Sequence, residues 1–91
     1  MIRVFVVYEK EPGAERYAQH VELCREVPGA TFRHGKVVRT MFGPELHYYA
    51  EFEFPDMDAF QAVAGTDEFR ATGKDAAEMG YAHNVYVAEI E

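Results

Sequence analysis

Ile2 to Tyr8 (Ile-Arg-Val-Phe-Val-Val-Tyr) is apolar at every position but one. A β-branched and aromatic run of that kind predicts a strand covered on both faces. Pro12-Gly13 breaks it, and the period then becomes helical. At about 100° per residue, Ala14, Tyr17, His20, Val21, Leu23, Cys24 and Val27 fall on one half of a helix, with Gln19, Glu22, Arg25 and Glu26 opposite. Pro28-Gly29 stops that helix. Thr31 to Met41 predicts a strand of mixed alternation whose Arg33, Lys36 and Arg39 suit a sheet edge. After a Phe42-Gly43-Pro44-Glu45 turn, Leu46 to Phe54 alternates. Tyr48, Ala50, Phe52 and Phe54 share one face of this strand, and His47, Tyr49, Glu51 and Glu53 the other. Pro55-Asp56 opens a second helix with Asp56 as its N-cap. Its stripe of Met57, Phe60, Val63 and Ala64 is interrupted at Gly65-Thr66. Thr66 caps a continuation carrying Phe69, Thr72, Gly73, Ala76 and Met79, which Gly80 ends. His83 to Ile90 closes the pattern as a strand.

The order is β-α-β-β-α-β, the split-βαβ or ferredoxin-like arrangement of the α+β class. Right-handed crossovers put the first and third strands in the middle of a four-stranded antiparallel sheet, with two helices on one face. No repeat or linker divides residues 1–91, so a single domain is expected. The other face of the sheet is left without a cover although the first strand is apolar there too. A second copy of the chain is the simplest cover, which predicts a homodimer.

Composition supports this picture. At 48% hydrophobic the chain is too apolar for disorder, and seven Phe and six Tyr in 91 residues are hard for a monomer to hide. The net charge of -7 repels phosphate backbones and excludes nucleic acid as an expected partner. No run approaches the roughly 20 apolar residues of a membrane span, so no membrane partner is expected. The N-terminal stretch reads as a strand and not as a signal peptide. The lone Cys24 has no internal disulfide partner, which fits a cytoplasmic protein.

Tyr17-Ala18-Gln19-His20-Val21-Glu22-Leu23-Cys24-Arg25-Glu26-Val27-Pro28-Gly29 resembles the first-helix signature of the ethyl tert-butyl ether degradation (EthD-like) family. Phe52-Glu53-Phe54, Met57-Asp58-Ala59-Phe60, Thr66 and Phe69 resemble that family's third strand and second helix. Where the family's His is usually followed two positions later by Pro, this chain has Glu22. The resemblance implies a homodimeric α/β barrel related to cofactor-free monooxygenases, isomerases and cyclases. It also implies a role beside the oxidative catabolism of small organic molecules, with oxidoreductase-linked labels.

His20 is the sharpest chemical candidate, because it lies inside the apolar stripe of the first helix and its ring should face the sheet. An imidazole there can take a proton from an acidic C–H or a phenol, or simply hydrogen-bond within the core. Tyr8, Tyr17 and Tyr81 are candidate hydroxyls for orienting a ligand, and Phe69 is a candidate aromatic wall. Glu51 and Glu53, with His47 and Tyr49, are expected to pair with Arg3, Arg33 or Arg39 in preference to acting as acid and base. His20, His34, His47 and His83 lack metal-ligand spacing, and Pro12-Gly13-Ala14 lacks the glycines and Lys of a phosphate loop. A site free of metal and cofactor is therefore expected, with Cys24 as a small buried filler. The function expected is binding or conversion of a small aromatic or ketonic molecule in a helix–sheet pocket. The alternatives are a non-catalytic accessory protein partnering an oxygenase system, or a cofactor-free monooxygenase or polyketide-type cyclase. The monooxygenases to which the resemblance points often use a Trp near their site, and this chain has none, so that alternative ranks lower.

Overall fold

The computed structural model describes residues 1–91 and follows the sequence pattern through β1 (Ile2–Tyr8), α1 (Ala14–Arg25), β2 (Thr31–Lys36) and β3 (Tyr48–Phe54). It continues through α2 (Met57–Ala64), α3 (Asp67–Met79) and β4 (His83–Glu89). The strands form one antiparallel sheet in the order β2-β3-β1-β4, so the apolar β1 and the alternating β3 are central, as expected. No helix is long and apolar enough to cross a membrane.

Two parts of the expected fold are corrected. The chain has three helices and not two, because Gly65 and Thr66 separate α2 from α3 outright. Gly65 caps the end of α2, and Thr66 takes an extended conformation (φ -78°, ψ 154°). The Thr66 hydroxyl donates to the Val63 carbonyl at 2.6 Å and accepts from the Phe69 N–H at 3.3 Å, which starts the new helix. The sheet, secondly, is not closed into a barrel. Its β2 and β4 edges are unpaired, and closure around a filled interior takes about eight strands.

A smaller difference concerns β2, which stops at Lys36 and does not run to Met41. Val37 donates one further bond to the His47 carbonyl at 2.9 Å, after which no backbone bond ties residues 38–46 to β3. Val38, Met41 and Phe42 stand in solvent. The Gly43-Pro44 turn lies too far along the chain to make a tight hairpin there.

The core lies between the sheet and the helices. Ile2, Val4, Phe52 and Phe54 pack there with Cys24, Val27 and Val63. Gly29 and Gly80 adopt left-handed backbone (φ 74° each) and turn the chain back after α1 and α3.

The opposite sheet face is mixed and not purely apolar. Phe5 sits between Tyr49 at 6.3 Å and Tyr86 at 5.3 Å. Beside this row, Arg3 and Arg33 both pair with Glu51 and Glu53 at 2.6–3.1 Å, which is how a nearly buried Glu51 is neutralised. Hydrogen bonding from Arg3 holds the Glu53 carboxyl below its ordinary range. Arg39, in the long loop, takes no part in these ion pairs.

Candidate functional site

Three and four residues separate Tyr17, His20 and Cys24, so α1 presents all three toward the sheet, and all three are buried. The α3 helix runs beside α1 and turns Thr72 and Ala76 inward. Between this helix pair and the floor of β1, β3 and β4 lies a cavity of about 240 Å³. Nine of its thirteen lining residues are apolar, with His20, Thr72 and His83 among the polar remainder. Val85 lines it while 55% exposed, so the cavity mouth runs along β4.

His20 is held from one side. Its Nδ1 lies 2.8 Å from Oδ2 of Asp75, and the Arg16 guanidinium grips the same carboxylate at 2.6 and 3.0 Å. The Asp75 side chain is 14% exposed. Hydrogen bonding from Arg16, and after it from His20, overcomes burial and holds the Asp75 carboxyl below its ordinary value. An ionised carboxylate only accepts, so Nδ1 carries a proton, and in the neutral form of the ring Nε2 is the acceptor. That nitrogen faces Cys24 Sγ at 3.5 Å. Burial pushes the Cys24 thiol and the Tyr8 phenol each up to about 12, so both stay protonated near neutral pH.

Of the candidates read from sequence, the structure gathers His20, Tyr8 and Phe69 around the cavity. Tyr17 packs edge-on against Tyr8 at 5.9 Å from behind the wall, with its hydroxyl buried and unpartnered. Tyr81 lies away from the cavity, where its hydroxyl accepts the Gly13 N–H at 2.9 Å and ties the start of α1 to the approach of β4. Sequence reasoning missed Asp75, Arg16, Thr72 and His83 as members of the site. An acidic residue bordering the Thr72–Ala76–Met79 stripe was the one available signal for Asp75. No cluster of three or more His, Cys, Asp or Glu side chains is placed to hold a metal ion.

No family model and no curated protein matches the chain. Solved structures do. An EthD family protein from Bacillus halodurans C-125 is 23% identical, with 100% of this chain and 99% of that one covered and a TM-score of 0.83. A dimeric ferredoxin-like protein of unknown function from Jannaschia sp. CCS1 is also 23% identical, with 98% of each chain covered and a TM-score of 0.76. The hydroxynitrile lyase from Passiflora edulis is 13% identical, with 99% and 93% covered and a TM-score of 0.76. At such identities the likeness defines the fold: this chain is a ferredoxin-like α+β protein with a cavity between its two layers.

Proposed function

We propose that the protein is a homodimer whose helix–sheet cavity binds a small, mainly apolar organic molecule and passes a proton between that molecule and His20. The observation that carries this reading is the Arg16–Asp75–His20 clamp on the cavity wall. The proton of a bound O–H or acidic C–H moves to Nε2, and the resulting imidazolium is stabilised by the Asp75 carboxylate that already holds Nδ1–H. Side chains alone supply this step, and Tyr8 and Phe69 form the surfaces against which the molecule lies. An EthD-type role beside oxidative catabolism accords with the family resemblance and with the EthD protein among the structural matches.

The test is titration of the isotopically labelled protein with small aromatic and ketonic molecules, followed by NMR. Shifts should map to Phe69, Ala76 and Val85, and His20→Ala should weaken binding or turnover by about tenfold or more. Unchanged binding and turnover in a folded His20→Ala protein overturns the reading. The Cys24 thiol beside Nε2 favours one second reading, a binding protein that assists an oxygenase system and converts nothing itself. Turnover by the purified protein alone would eliminate it.

Pairing is supported by the uncovered Tyr49–Phe5–Tyr86 row and by structural relatives described as dimeric. Sedimentation velocity at micromolar concentration should show a dimer, and Phe5→Glu should yield a folded monomer. A wild-type protein that sediments as a monomer refutes the pairing.

A further inference from the structure

We infer that the cavity selects molecules that donate a hydrogen bond, phenols or alcohols in preference to ketones and ethers, and that Thr72 and His83 impose this choice together with His20. The inference rests on the proposed binding role of this cavity and concerns what the cavity accepts.

Apart from the Tyr8 hydroxyl, the polar atoms of the wall have their protons committed elsewhere. Nδ1–H of His20 is spent on Asp75, which leaves Nε2 as an acceptor. The Thr72 hydroxyl donates to the Phe69 carbonyl at 2.6 Å, so its oxygen offers the cavity only lone pairs. His83 Nδ1 lies 2.8 Å from the Tyr81 carbonyl. A carbonyl cannot donate, so Nδ1 carries a proton, and in the neutral form of the ring Nε2 is again an acceptor. The Cys24 thiol, a weak donor, is turned toward His20 Nε2. Only the Tyr8 hydroxyl on this wall donates or accepts as an occupant requires.

Three acceptors around an apolar hollow leave a carbonyl guest facing lone pairs, with Tyr8 as its single donor. An O–H guest satisfies one of the acceptors and displaces at most a thiol. Size narrows the class further. A cavity of about 150 Å³ holds benzene, so about 240 Å³ suits one substituted ring. The molecule that fits is a small ring or branched chain bearing a hydroxyl.

The test compares dissociation constants of 4-methylphenol, 4-methylanisole and 4-methylacetophenone by NMR titration. The phenol should bind about tenfold more tightly than the ether, with the ketone no better than the ether. Thr72→Val and His83→Phe should each narrow that preference by about threefold. Thr72→Val keeps nearly the same shape, so it decides the matter if His83→Phe fails to fold. Equal or tighter binding of the ketone at the cavity residues overturns the inference while leaving the cavity a binding site. If none of the three perturbs Phe69, Ala76 or Val85, the binding role itself falls, and the inference with it.

Discussion

Phe54→Ala lowers the stability of the domain by about 3–5 kcal/mol, whereas Phe54→Leu costs well under half as much. Phe54 is 0% exposed at the end of β3, sits opposite Ile2 in the register, and meets Phe60 of α2 edge-on at 5.4 Å. Truncation leaves a hollow where the sheet, α2 and the core meet. For a domain of this length the total is about 5–14 kcal/mol, so the loss removes a large part of it. Urea denaturation followed by far-UV circular dichroism measures the difference. A loss below about 1 kcal/mol would mean that this corner of the core is not packed as described.

Asp75→Asn should cost about 1–3 kcal/mol and also damage the site. The carboxylate serves both Arg16 and His20, and although Arg16 reaches solvent, the imidazole does not. The pH dependence gives a second signature. The Asp75 carboxyl is held below its unfolded value of about 3.9, so between the two values the unfolded chain binds more protons. Its contribution is therefore fully present above about pH 4 and is lost as the pH falls through the folded value. Denaturation curves should show wild type losing its advantage over Asp75→Asn on acidification. A constant difference across that range contradicts the assignment. An Asn amide can also donate to His20 Nδ1, which moves the ring proton to Nε2 and removes the acceptor from the cavity. Proton transfer should then fall by orders of magnitude even where the fold survives.

The strands and their order were legible because β1 is apolar on both faces and β3 alternates cleanly, patterns that only a central position satisfies. The caps at Asp56 and Thr66 were legible for the same local reason, since each side chain accepts a backbone N–H three residues ahead. At Gly65-Thr66 the sequence reads as a pause in one helix, whereas a stop followed at once by a cap makes two. His20 could be placed from helical spacing alone. Its clamp could not, because Asp75 and Arg16 come together only when α1 and α3 lie side by side. A charged residue on a helix reads as solvated until its neighbour is known. The end of β2 was missed because apolar Val38, Met41 and Phe42 look like strand residues, and only the missing backbone partners reveal that they are not.

Val4, Cys24 and Phe52 belong at once to the central packing of the protein and to the wall of its hollow. Whatever fills the hollow therefore completes the interior as well as meeting His20. A molecule that binds there, and only to the folded chain, would raise its stability with the logarithm of concentration over dissociation constant.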